Sequence, residues 1–315
     1  MADAYARHLA ALHGRFAAPD ALIAAAARQV SPSPILERRR IVHGEANEVY
    51  RIAFESGLEV ILRIARHAQG IFEKEAWAIG RCRDLGMAVP EVLSLQTLEA
   101  DSERLEMCFL EMLPGERLSD SLSLPRETLR SVVREVGDQL SRMHAIESSD
   151  LGQDGRFFES DADDFAAVEA EFIALGVEAG LDRQALERAL RFFEEAMREP
   201  QRRVLTHNDI RACHVLVHDG RLSGLIDFGQ VSLDTPINEF AKWDYWEAPD
   251  LPMAWLREGY ADKTLFDEAF DQRFQAWRLV NALSALRWYA LTGYPEGVGR
   301  ASSALDRYLA ELGLR

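Results

Sequence analysis

The segment from Val204 to Gly229 constrains this chain more than any other. Val204-Leu205 leads into a polar loop, His207-Asn208-Asp209-Ile210-Arg211-Ala212-Cys213-His214, and Val215-Leu216-Val217 leaves it. His218-Asp219-Gly220-Arg221 contains an Asp-Gly pair, which supplies positive φ cheaply, so a hairpin turn is expected there. Leu222 to Ile226 returns, and Asp227-Phe228-Gly229 sits where that strand ends. The hairpin is expected to bring Asp209, His214 and Asp227 to the same end of a small sheet. Two carboxylates and a metal-capable imidazole at strand ends suit phosphoryl transfer. That chemistry needs one carboxylate to take a hydroxyl proton and two ligands to hold the magnesium that neutralises the phosphates.

The rest of the chain arranges itself around this hairpin. Residues 1–30 carry helix formers with apolar positions at Leu9, Leu12, Phe16, Leu22, Ile23 and Val30, broken at Gly14 and Pro19. Ser31-Pro32-Ser33-Pro34 has no glycine and is expected to be a stiff linker. From Ile41 the pattern changes. Val49 to Phe54 and Val60 to Ile64 have strand character around a Ser56-Gly57 turn. A helix from Ile71 to Leu85 follows, then strands near Val92 to Gln96 and Leu105 to Leu113, ended by Pro114-Gly115. Strands, a helix and more strands suggest a small α+β lobe. Beyond residue 116 helices dominate: Leu129 to His144, Phe165 to Leu175, Arg183 to Arg198, Glu239 to Trp246, Leu265 to Leu291 and Ala301 to Leu312.

At 315 residues the chain is long enough for two lobes. Cys82, Cys108 and Cys213 show no paired spacing, which argues for a reducing compartment without a disulfide framework or a thiolate zinc site. The alanine-rich run from Ala21 to Ala27 lies between Asp20 and Arg28 and is too short to span a bilayer. No signal-peptide layout precedes it, and a cytoplasmic location is expected. The net charge of −16 disfavours nucleic acid and anionic membranes as partners and favours cations. Acid is concentrated between Asp154 and Glu178, where eight carboxylates face the single Arg156.

The catalytic stretch resembles the aminoglycoside phosphotransferase family, which shares its fold with the eukaryotic protein kinases. Members have His-Gly-Asp-x-x-x-x-Asn in the catalytic loop, followed by Ile-Asp-Phe-Gly or a close variant. The resemblance implies an α+β, bilobal, protein-kinase-like fold with a β-rich N-lobe and a larger helical C-lobe. It implies Asp209 as catalytic base and Asp227 as a magnesium ligand. His214 stands where the family has asparagine, and Asn208 replaces the usual glycine. A histidine at that position is familiar from the macrolide phosphotransferase branch. As a softer ligand, it suits Mn²⁺ at least as well as Mg²⁺.

The same resemblance extends to the small lobe. His43-Gly44-Glu45-Ala46-Asn47 is similar to the nucleotide-covering Gly-x-x-Asn loop, so Gly44 and Asn47 are expected near the phosphates. Arg63 occupies the place of the phosphate-binding lysine, where its planar fork suits two phosphate oxygens. Glu75 is the first choice for the helix carboxylate that holds it, with Glu73 the alternative, since neighbouring helix residues point about 100° apart. Glu111, Met112 and Leu113 resemble the hinge whose backbone bonds the purine. ATP is the default nucleotide and GTP stays open. Asp234-Thr235-Pro236-Ile237-Asn238-Glu239 resembles the family's Asp-Pro-x-x-Asp helix start, with Thr235 inserted, Glu239 for aspartate, and Asn238 as an N-cap candidate.

On the acceptor side, Asp244, Trp246 and Glu247 interleave acids with aromatics. Together with the 154–178 segment they suit a polyhydroxylated cation. The expected domains are a helical extension at 1–35, an N-lobe at 36–113 and a C-lobe at 114–315. The expected protein is a monomer or weak dimer that transfers the γ-phosphoryl group to a hydroxyl of an aminoglycoside-like antibiotic, conferring antibiotic resistance. A macrolide kinase, or a kinase of a small sugar, amine alcohol or fructosamine, is the near alternative. A non-catalytic nucleotide-binding protein is the distant one.

Overall fold

The computed structural model describes residues 7, 9–11, 13–14, 17–42, 47–65, 70–100, 103–161 and 165–315. The chain forms two compact units, one from residues 1–115 with 223–229, the other from 116–222 with 230–315. The candidate Gly44 lies outside the described residues.

The first unit contains α1 (Asp20–Val30), β1 (Ile35–Ile41), β2 (Glu48–Phe54), β3 (Glu59–Ala65), α2 (Ile71–Asp84), β4 (Val92–Ala100) and β5 (Glu103–Glu111). The strands make one antiparallel sheet in the order β1-β2-β3-β5-β4. Alternation along the strands sends Tyr50, Ile52, Phe54, Val60, Leu62, Ile64, Leu105, Met107 and Phe109 to one core, which α1 covers with Ile23, Ala26 and Ala27. The segment expected as a helical extension therefore shares the core of the sheet. Burying Ile23 completely contributes about 2 kcal/mol. A buried carboxylate pins the entry to α1, because Glu48 accepts from the Ala18 N–H at 3.0 Å. Strand β1 is absent from the sequence reading. Its Glu37-Arg38-Arg39-Arg40 run looks like a loop, yet charged residues are what an edge strand needs to resist pairing with another chain.

The second unit contains β6 (Glu116–Arg117), α3 (Arg126–Met143), α4 (Phe165–Glu178), α5 (Arg183–Ala196), β7 (Val204–Thr206), β8 (Val215–His218), the start of β9 (Arg221–Leu225), β10 (Ser232–Asp234), α6 (Pro236–Glu247), α7 (Met253–Gly259), α8 (Phe270–Thr292) and α9 (Pro295–Glu311). One core gathers Phe172, Leu186, Leu190, Leu279, Leu283, Leu305 and Leu309 from α4, α5, α8 and α9. Helices α3 and α7 approach through a pair of glycines. A Cβ on Gly137 would lie 2.2 Å from the Leu256 carbonyl oxygen, and one on Gly259 would lie 1.8 Å from that of Arg134. Asp219 and Gly220 take φ of 50° and 73°, forming the turn expected of Asp-Gly between β8 and β9. Strand β9 then carries the chain into the first unit.

Helix α6 begins earlier than expected. Thr235 is its N-cap and Pro236 the first helical residue, where proline's missing N–H costs nothing. Asn238, expected as the cap, instead donates its amide to Asp234 Oδ2 at 2.6 Å.

Candidate active site

In the first unit a guanidinium stands between two carboxylates. Arg63 lies on β3, opposite in parity to the core residues Leu62 and Ile64, and pairs in register with Val49 and Cys108. Its Nη1 bonds Glu75 from α2, and its Nη2 reaches Asp227 Oδ1 at 2.8 Å. Glu75 rather than Glu73 is the partner because residue 75 is buried while residue 73 is exposed. Burial works against the charge on Arg63, but Glu75 and then Asp227 more than offset it and raise its pKa. The same burial, reinforced by Glu75, pushes the Cys108 thiol up to about 12, so it stays protonated.

Asp227 takes φ of 67° and remains 40% exposed at its side chain. Gly229 leaves room beside it, since a Cβ there would sit 3.3 Å from Arg63 Nη2. Asn47 is buried just before β2. Of the expected hinge, Glu111 closes the sheet, donating its N–H to the Glu91 carbonyl at 2.8 Å. Leu113 packs under Gly224, where a Cβ would lie 2.3 Å from its Cδ1. Met112 follows β5 directly.

In the second unit the 207–214 loop follows β7, and its backbone is held by charged side chains of α6. Glu239 accepts from the N–H groups of His207 at 3.1 Å and Asn208 at 2.6 Å. Behind it, His144 places Nε2 at 3.4 Å from the same carboxylate and Nδ1 at 3.0 Å from the Tyr260 hydroxyl. Burial would push the Glu239 carboxyl up, but His144, with His207 and the Asn208 N–H, holds it below the usual range. Lys242 donates to the Asn208 carbonyl at 2.7 Å and to its side-chain oxygen. Glu247 accepts from the Ala212 N–H at 2.8 Å.

Asp209 is 27% exposed at its side chain and meets Arg211 Nε at 3.2 Å. His214 donates from Nδ1 to the Asp209 carbonyl at 2.7 Å and places the same nitrogen 3.5 Å from the Asp209 carboxylate, so the neutral imidazole carries its lone pair on Nε2. Among the described residues no group of three or more His, Cys, Asp or Glu is placed to hold a metal ion. A magnesium nucleotide does not demand such a group, because phosphate oxygens and water fill most of its coordination sphere.

The three acceptor-side residues already have protein partners. Asp244 pairs with Arg278 at 2.9 Å, Glu247 holds the 207–214 loop, and Arg211 covers the Trp246 ring at 4.7 Å. Lys242, Arg211 and the His144–Tyr260 pair belong to no motif of the sequence. Only one signal pointed to any of them: Glu239 and Lys242 are three residues apart on a helix and so share a face.

The sequence matches the model of the phosphotransferase enzyme family over residues 37–289. The chain belongs to that family. It is a phosphotransferase. No curated protein matches it. Solved structures share its protein-kinase-like fold. A GDP complex of an aminoglycoside 2′-phosphotransferase-IIIa variant is 15% identical with a TM-score of 0.71, covering 93% of this chain and 98% of that one. A thermostable aminoglycoside phosphotransferase APH(4)-Ia variant with AMP-PNP and hygromycin B is 19% identical with a TM-score of 0.69, covering 91% and 97%. An amicoumacin kinase with AMP-PNP, Ca²⁺ and its ligand is 13% identical with a TM-score of 0.67, covering 93% of each chain. Among the described residues no helix is long and apolar enough to cross a membrane.

Proposed function

We propose that Asp209 orients an acceptor hydroxyl and takes its proton while the γ-phosphoryl group of ATP or GTP is transferred to it. Arg63, fixed by Glu75, grips the α- and β-phosphates with its planar fork. Asn47, with Gly44, covers the nucleotide, and backbone groups of 111–113 face the base. Taken each within its own unit, Asp227 and His214 are donors of the kinds a divalent cation takes: a partly exposed carboxylate, and an imidazole that in its neutral form carries a lone pair on Nε2 while Nδ1 donates to the Asp209 carbonyl. With Mg²⁺ or Mn²⁺ bound, the charge of the phosphates would be neutralised. Little covalent work is left to the protein, and positioning supplies most of the rate.

The observation that carries this reading is Arg63 standing between Glu75 and the Asp227 of Asp-Phe-Gly. An aminoglycoside-like acceptor is supported by the acidity of the chain and by the ligands of proteins that share its fold. A second reading, a macrolide or a small metabolite such as a sugar, is supported by Arg211. A guanidinium 3.2 Å from the base disfavours a polycation beside it. Transfer from ATP and GTP to a panel of aminoglycosides, macrolides and small sugars tests both. Phosphate ester on aminoglycosides alone supports the first acceptor, and ester on the macrolides or sugars alone supports the second. Nucleotide binding with no transfer to any compound would leave a non-catalytic nucleotide-binding protein.

A further inference from the structure

We propose that Lys242 is a positioning residue that lets Asn208 take the place of glycine in the catalytic loop and thereby fixes the backbone from which Asp209 projects. The inference rests on the reading of Asp209 as the base. Asn208 has φ of 61°, in the left-handed region that glycine enters freely and other residues enter at a cost. Asparagine tolerates it better than most because its short amide bonds nearby groups. Here that amide bonds Lys242, whose ammonium spans the Asn208 side-chain oxygen and the Asn208 carbonyl at 2.7 Å.

No other hydrogen bond and no ion pair of Lys242 occurs among the described residues, although carboxylates surround it. A partly buried lysine ordinarily seeks a carboxylate. This one is committed to a single neutral residue. Burial holds its pKa below the usual lysine range, and Asp234, Glu239 and Asp209 offset part of that fall. One helical turn away, Glu239 takes the Asn208 N–H at 2.6 Å. Both backbone polar groups of residue 208 and its side-chain oxygen are thus held from one face of α6. The next residue is Asp209. A shift of about 1 Å in a group that must meet a hydroxyl can cost two orders of magnitude in rate.

The account makes Lys242 dispensable only where the left-handed backbone is free of cost, which a double-mutant cycle can read. Lys242→Met is compared in the native protein and in the Asn208→Gly background. Turnover is measured with ATP and the acceptor found in the panel, or as ATP hydrolysis if none is found. In the native protein Lys242→Met should lower kcat by about tenfold or more while the ATP KM changes by less than about twofold. In the glycine background the same substitution should lower kcat by less than about threefold.

Thermal unfolding of the four proteins without ligand gives a readout independent of any activity. The loss of Tm from Lys242→Met should be smaller in the glycine background. If the phosphotransfer reading alone fails, turnover is absent throughout but this coupling in Tm remains. Equal losses in the two backgrounds, in kcat or in Tm, overturn the proposal. So does unchanged kcat for Lys242→Met in the native protein. Should Lys242→Met fail to fold, Asn208→Ala removes the amide partner and keeps the strain. It should show the same fall in kcat at steady KM, and wild-type turnover there would overturn the proposal.

Discussion

The two units hold their key carboxylates by opposite means. Asp227, in the first unit, is held through its side chain by Arg63, which a buried glutamate from α2 anchors in turn. Asp209, in the second, sits on a backbone clasped by Glu239, Lys242 and Glu247 of α6, with its own carboxylate left to Arg211, His214 and solvent. Both loops contain a left-handed non-glycine residue, Asp227 itself in one and Asn208 just before Asp209 in the other. A side chain tethered by a cation suits a group that holds charge. A fixed backbone with a partly exposed tip suits a group that must meet a changing substrate and accept a proton.

The largest expected break in this contrast is Asp209→Asn. It should lower kcat by about 10³-fold, measured by steady-state transfer, because general-base help is lost while the loop keeps its clasp. Next is Glu75→Gln, which leaves Arg63 buried with half of its compensation. Stability in urea should fall by about 3 kcal/mol, the usual cost of breaking a buried ion pair from one side.

Glu239→Gln probes the other unit. A carboxyl whose folded pKa is depressed stabilises fully above its ordinary value of 4.5 and loses that contribution as pH falls through the lower folded value. The variant should therefore be less stable by about 2 kcal/mol at neutral pH, and its stability should fall off less steeply than wild type on acidification below pH 4.5. Thermal melts from pH 3 to 7 would show parallel curves if Glu239 were not the group responsible. The smallest effect is the metal. Exchange of Mg²⁺ for Mn²⁺ should leave kcat equal or higher, by no more than about threefold, and a clear preference for Mg²⁺ would count against imidazole ligation by His214.

Much of this was visible in the chain itself, for physical reasons. The β8–β9 turn follows from Asp219-Gly220, which few other pairs could replace. The strands of the first unit follow from period-two burial. The orientation of Arg63 follows from its parity against Leu62 and Ile64, and helix geometry narrowed its partner to two residues, of which burial selects Glu75. What stayed hidden depends on contacts distant in sequence. Lys242 looks like one solvated charge on an amphipathic helix until Asn208, 34 residues earlier, is placed against it. His144 and Tyr260 are separated by 116 residues and show no spacing that a motif could reveal. Asp244, Trp246 and Glu247 illustrate the reverse case. Their residue types suit a cation, and each is engaged by an arginine or a backbone N–H of the protein.

The division of labour between the two carboxylates is tested most directly by titrating Asp209→Asn and Asp227→Ala with ATP in the presence of Mg²⁺ and again in EDTA. The expected result is that Asp209→Asn binds like the wild type and keeps the gain in affinity that the metal confers, while Asp227→Ala loses that gain. Equal loss of metal-dependent affinity in both variants, or its retention in Asp227→Ala, would contradict the assignment.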